Sequence, residues 1–293
     1  MGIFTGAGVA LVTPMNADGT VNFEQLRALV DWHLEQGIDA IIACGTTGEA
    51  STLKDEEHIA VIEAVVKQVA GRIPVIGGTG SNDTQHGIHL SMEAERVGAD
   101  ALLVVTPYYN KATNKSLVKH YEAICEKVSI PVILYSVASR TGLNLTPAMV
   151  AELKKIPNVQ GIKEASGNIS QIVEICQLAD DNFQVYSGND DQVLPLLSVG
   201  GSGVISTIAN LLPAETSKMV HDYLAGDLQA ARKTQLAQLP LIHAIFSEVN
   251  PVPVKAAVSL LGKCDCHYRL PLDAPEDSTL ALLKKEMTAY GLL

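Results

Sequence analysis

A lysine that ends a short apolar run is the residue of this chain best suited to covalent chemistry. Lys163 follows Val159-Gln160-Gly161-Ile162, which reads as a buried strand, so its stem begins inside the protein. Burial disfavours the charged form of a lysine, and the neutral amine forms Schiff bases with ketones. The alternative is an ion pair with adjacent Glu164 or with a carboxylate across the core. Tyr135 ends another apolar run. Its phenol can pass a proton during imine formation, or it can be a core tyrosine satisfied by backbone. Gly45-Thr46-Thr47-Gly48-Glu49 is a glycine-bounded turn whose amides and hydroxyls suit a small carboxylate, although turns need glycine in any case. Arg140 offers a fork for a second carboxylate, or is simply a surface arginine.

Other chemistries lack their residues. The chain has no dinucleotide fingerprint, P-loop, nucleophile elbow or His-Glu-x-x-His. His86 and His89 lie three apart with no obvious carboxylate to complete a metal site, and read as surface or packing residues. Cys264-x-Cys266 lacks a second ligand pair at zinc spacing, so no metal is expected. The net charge of −11, with both signs interspersed, argues against nucleic acid or an anionic membrane as a partner. No apolar run approaches the roughly 18 residues of a membrane helix. No basic residue precedes Arg27, so no secretory leader is expected, and Met1-Gly2 lacks the hydroxyl residue of a myristoylation start. Five scattered cysteines read as reduced thiols of a cytoplasmic protein.

The elements that position these residues alternate. Apolar runs at 8–12, 40–44, 74–77, 101–105, 132–135, 159–162, 185–186 and 203–205 are strand-like. Amphipathic stretches at 23–35, 55–70, 83–97, 115–127, 147–155, 169–179, 192–199 and 214–224 separate them. Thr146 before Pro147, Asn168, Asn82 and Thr52 are candidate N-caps, and Gly37 and Gly98 suit helix ends. Near-continuous apolar strands imply a sheet buried on both faces. Eight strands and eight helices predict a (β/α)8 TIM barrel over 1–225, with an open doubly wound sheet as the alternative. Three helical stretches with no strand predict a C-terminal helical appendage over 226–293. In a barrel the chemistry sits where strands end, and all the candidates above do so.

The combination of Thr13-Pro14, Gly45-Thr46-Thr47-Gly48-Glu49, Thr106-Pro107-Tyr108-Tyr109-Asn110, Tyr135, Ser139-Arg140-Thr141-Gly142, Gly161-Ile162-Lys163-Glu164-Ala165 and Asn250-Pro251-Val252-Pro253-Val254-Lys255 resembles the dihydrodipicolinate synthase family. That family belongs to the pyruvate-dependent class I aldolases, with N-acetylneuraminate lyase. The resemblance runs from about Phe4 to Leu293. It implies that Lys163 captures pyruvate as a Schiff base. Tyr135, Thr46 and Tyr109 would relay protons, Tyr109 entering a neighbouring subunit's site. Thr46, Thr47 and the backbone of Ile205 would hold the pyruvate carboxylate. Arg140 would engage L-aspartate 4-semialdehyde. It further implies a homo-oligomer, commonly a tetramer, with no metal or organic cofactor, in lysine and diaminopimelate biosynthesis. Lyases for longer sugar acids generally lack that arginine, so Arg140 separates the synthase from an aldolase for another 2-oxo acid. A reactive amine separates both from a non-catalytic scaffold.

Two departures stand out. The family usually reads Tyr-Asn-Val-Pro where this chain has Tyr135-Ser136-Val137-Ala138, and loss of proline predicts a less restrained Arg140 loop. In lysine-sensitive relatives an interface pocket carries a histidine and a glutamate near the positions of Asp55 and His86. His58, Asn82 and Tyr108 match that candidate regulatory pocket, but the glutamate is missing. Weak or no inhibition by L-lysine is therefore expected.

Overall fold

The computed structural model describes residues 2–293. The Met1-Gly2 reading therefore lies partly outside the described residues. Eight strands pair in parallel, in chain order, and close on themselves: β1 (Gly6–Ala10), β2 (Ala40–Ala43), β3 (Val75–Gly78), β4 (Ala101–Val105), β5 (Val132–Ser136), β6 (Val159–Glu164), β7 (Gln184–Ser187) and β8 (Gly203–Ser206). Closure of β8 on β1 removes the open-sheet alternative. Helices Phe23–Glu35, Asp55–Val69, Thr84–Arg96, Asn114–Cys125, Pro147–Leu153, Ile169–Cys176 and Val193–Leu197 lie in the seven crossovers, and Pro213–Leu224 follows β8. Leu228–Ile245, Val252–Leu260 and Asp277–Tyr290 follow. No helix among the described residues is long and apolar enough to cross a membrane.

Strand alternation creates two cores. Ala40, Ile42, Ala101, Leu103, Ile133 and Ile205 fill the barrel. Phe4 stacks on Tyr186 in the same interior, rings 4.3 Å apart. Ile41, Leu102, Val104, Val132 and Leu134 face the other way, towards helix residues such as Leu26, Leu29 and Val30. Each such side chain stabilises by about 1.5–3 kcal/mol when buried. β1 starts two residues before its expected position. The barrel tolerates no larger residue there: a Cβ on Gly8 would lie 2.7 Å from Ile42 Cδ1. The glycines that fit the crowded interior are what hid the strand.

Thr146 and Asn168 cap their helices as expected, accepting from the amides of Met149 and Gln171. Two caps need correction. Asp83, not Asn82, accepts from Gln85 N and starts Thr84–Arg96. Thr52 ends a 3-10 turn instead, its hydroxyl donating to the Glu49 carbonyl, and Asp55–Val69 begins after Lys54.

His33, on the buried face of Phe23–Glu35, is 0% exposed and neither ring nitrogen has a hydrogen-bond partner among the described residues. Burial, with Lys263 nearby, pushes its pKa down to about 3. The unfolded chain takes up that proton near pH 6.5 while the folded chain refuses it. This site's contribution to stability is therefore intact above about pH 6.5 and falls as pH drops towards 3, by about 2 kcal/mol at pH 5. His33→Leu should lose about 2 kcal/mol less than the parent between pH 7 and pH 5 in urea unfolding. Equal losses in both proteins would contradict the assignment.

Candidate active site

Lys163 faces the barrel interior because of an irregularity in β6. Val132 pairs with Val159, but the next residue of β5, Ile133, pairs with Gly161, leaving Gln160 as an extra residue. Val159 packs on the helix side, so strict alternation would turn Lys163 outward as well. The inserted residue reverses the phase: Ile162 goes out and Lys163 comes in. Lys163 is then the register partner of Tyr135, 6% exposed, with Nζ 4.5 Å from the Tyr135 ring centroid.

The two residues share a cavity of about 200 Å³ with Thr46, Thr47 and Arg140. That is smaller than the roughly 300–1,000 Å³ of drug-sized sites and suits a substrate of few atoms. Ala10, Ile42 and Leu103 give it apolar walls. Its lining residues include Lys163 and Arg140 but no carboxylate, so an acidic protein presents a locally basic pocket. Thr46 and Thr47 sit in a tight turn in which Gly48 N and Glu49 N donate back to the carbonyls of Gly45 and Thr46. Gly188 borders the lysine stem: a Cβ there would lie 3.1 Å from Lys163 Cε and 2.6 Å from Ala165 Cβ.

Arg140 rides on a short helix, Ala138–Thr141, that sequence reasoning missed. Ala138 occupies the first helical position, where proline would be pre-organised. Here the loop is tied by side chains instead. Thr106 Oγ1 donates to Thr141 Oγ1 (3.2 Å), and Thr141 Oγ1 also accepts from Leu143 N (3.2 Å). Ser136 Oγ accepts from Leu145 N (3.2 Å).

Asp190, just after β7, is a further residue that went unassigned. Its carboxylate accepts from Ser206 Oγ (2.6 Å), Thr207 N (3.0 Å) and Ile208 N (2.9 Å), fastening the end of β8. Burial raises its pKa, while these hydrogen bonds and the charge of Lys163 oppose the shift. The polar Ser187-Gly188-Asn189-Asp190-Asp191 at a strand end was the available signal. Glu164 is not the lysine's partner. It faces away from the barrel, bonded to Ser166 and to Gln171 Nε2 (3.1 Å), with its pKa raised by burial.

The other expected residues lie apart. Ile205 is buried one inward layer deeper, paired with Gly8, whereas Ala10 and Thr207 line the cavity. Tyr109 is 90% exposed on a left-handed backbone (φ 73°). His58 and Tyr108 line a second cavity of about 330 Å³, which shares Thr46, Tyr135 and Arg140 with the first. His58 Nε2 lies 2.7 Å from Gly78 O, and burial lowers its pKa. Asn82 is not in that wall; its carbonyl accepts from Asn110 Nδ2. Asp55 and His86 do line it, 2.9 Å apart, so the pocket has a carboxylate after all, already engaged by an imidazole. Among the described residues no group of three or more His, Cys, Asp or Glu is placed to hold a metal.

Known proteins share this sequence pattern and this fold. The model of the dihydrodipicolinate synthetase family matches residues 3–290. The 4-hydroxy-tetrahydrodipicolinate synthase of Caldicellulosiruptor bescii is 53% identical over 292 residues, covering 100% of this chain and 99% of that one. The crystal structure of dihydrodipicolinate synthase from Thermotoga maritima superposes with a TM-score of 0.97 at 40% identity, covering 99% of this chain and 100% of that one. The lysine-bound enzyme from Cyanidioschyzon merolae gives 0.97 at 36% identity, covering 100% of both. With its closed barrel and a match over nearly its whole length, this chain belongs to the dihydrodipicolinate synthetase family.

Proposed function

We propose that this enzyme condenses pyruvate with L-aspartate 4-semialdehyde to give 4-hydroxy-tetrahydrodipicolinate, the entry to lysine and diaminopimelate biosynthesis. The observation that carries the mechanism is the buried Lys163 amine beside Tyr135 in a small cavity free of lining carboxylates. The amine adds to C2 of pyruvate and water leaves, giving a protonated imine. That imine draws electrons from C3, so a methyl proton is lost and an enamine forms. C3 attacks the aldehyde carbon, and the aldehyde oxygen takes up a proton. The substrate's own amine then displaces Lys163 and closes the ring. Tyr135, Thr46 and Tyr109 relay the protons. Thr46 and Thr47 hold the pyruvate carboxylate, with the Ile205 backbone, one layer beneath the cavity lining, completing that site from below, and Arg140 holds the carboxylate of the aldehyde substrate.

Purified protein should consume pyruvate only when L-aspartate 4-semialdehyde is present, with product read through a coupled dipicolinate reductase. Pyruvate captured on Lys163 but condensed only with another aldehyde would overturn the substrate assignment. Arg140→Ala should raise KM for the aldehyde substrate by roughly 10- to 100-fold, the worth of a hydrogen bond to a charged group. An unchanged KM would contradict the role of Arg140.

Residues 1–225 are taken as the catalytic barrel and 226–293 as a helical domain. A homotetramer is the proposed assembly, supported by the outward Tyr109, which has a place in the relay only if it enters another subunit's site. Five free thiols, four of them buried, support a cytoplasmic location. The second cavity remains the candidate regulatory site, with His58, Asn82 and Tyr108 at or near it. Because His86 already occupies the Asp55 carboxylate, L-lysine should inhibit weakly or not at all. Sub-millimolar inhibition in a steady-state assay would refute this.

A further inference from the structure

No step of the condensation uses residues 250–255, yet this segment reaches the rim of the site at three points. Asn250 Nδ2 donates to Thr47 Oγ1 (3.0 Å). The Asn250 carbonyl accepts from Arg140 Nη2 (3.1 Å). Lys255 Nζ lies 2.7 Å from Glu49 Oε1, and both side chains are 0% exposed. Glu49 is two residues beyond Thr47, on a left-handed backbone (φ 56°) that is uncommon for a residue other than glycine. Its second oxygen, Oε2, is buried without a hydrogen-bond partner among the described residues. The Lys255 ammonium also lies 5.1 Å from the Tyr268 ring centroid, and Tyr268 donates its hydroxyl proton to the Val252 carbonyl.

Such a pair is a poor device for stability alone. Desolvation of both ions offsets much of their attraction, and apolar replacements of similar volume are often neutral or stabilising. What a short buried ion pair does provide is one fixed distance between the elements that carry it. Here those elements are the turn of Thr46 and Thr47 and the helix Val252–Leu260.

We propose that the Lys255–Glu49 pair and Asn250 form a strut by which the C-terminal helices set the positions of Thr47 and Arg140 together. Glu49, Asn250 and Lys255 are positioning residues for the two carboxylates of the reaction. The strut rests on the reading of Thr47 and Arg140 as carboxylate-holding residues.

The decisive variant is Glu49→Gln combined with Lys255→Met, which removes both charges at nearly constant volume. It should fold, keep pyruvate capture on Lys163 at saturating pyruvate, and show KM for both substrates raised about tenfold, with kcat changed less. Asn250→Ala keeps the ion pair and severs only the side-chain bond to Thr47. It should raise KM for pyruvate more than for the aldehyde substrate, and it carries the test if the double variant does not fold. A purely structural pair would lower the active fraction, and so kcat, at constant KM. Parental KM values in both variants, while Arg140→Ala still raises that of the aldehyde substrate, would overturn the strut. A parental aldehyde KM in Arg140→Ala would overturn the underlying reading of Arg140 instead.

Discussion

Lys163→Ala is expected to lower turnover by at least about 10³-fold, the scale lost when a covalent nucleophile is removed. The change deletes the amine and leaves the pocket's other charges in place. Arg140 is anchored separately on the Asn250 carbonyl, and the Thr46–Thr47 turn is closed by its own backbone bonds. Binding of the aldehyde substrate should therefore survive while chemistry stops, so kcat falls far more than KM rises. The barrel should remain folded, because the adjacent carboxylate, Glu164, bonds Ser166 and Gln171 and does not depend on the lysine. Residual turnover within about tenfold of the parent would mean that another group captures pyruvate.

Tyr135→Phe is the second large expectation. The ring packs in the barrel interior beside Lys163, so phenylalanine keeps the packing and removes only the hydroxyl. Loss of a group that moves protons in the transition state costs roughly 10²–10⁴ in rate. The effect should fall on kcat, with pyruvate still captured by Lys163, since a proton shuttle is needed at several steps and the amine itself is untouched. A variant as fast as the parent would make Tyr135 a packing residue, and the relay would have to run through other groups.

The barrel was legible because its signals are local. Short apolar runs, amphipathic spacers, Thr146 before Pro147 and the cap at Asn168 each depend on a few neighbouring residues. The strand-end location of Lys163 was legible for the same reason. Its orientation was not. Strict alternation from Val159 gives the wrong face, and only the extra residue beside Gly161 corrects it. A lone glycine inside a strand pattern was the available hint. Contacts between distant parts of the chain carried no sequence signal. Asn250 meets Thr47 across 203 positions, Lys255 meets Glu49 across 206, and His86 meets Asp55 across 31. Asn82 and Asp83 are equivalent as candidate caps in the sequence, because either side chain can accept an amide bond, and the backbone decides between them. The strain at Glu49 is equally silent, since nothing in the residue type foretells a left-handed backbone.

The most direct test is to incubate the protein with pyruvate alone, reduce with borohydride, digest it and locate the modified peptide by mass spectrometry. Schiff-base chemistry predicts one reduced pyruvate adduct per chain, on Lys163, absent from Lys163→Ala and undiminished in Arg140→Ala. An unmodified Lys163, or an adduct on any other lysine, would contradict the assignment of Lys163 as the imine-forming residue.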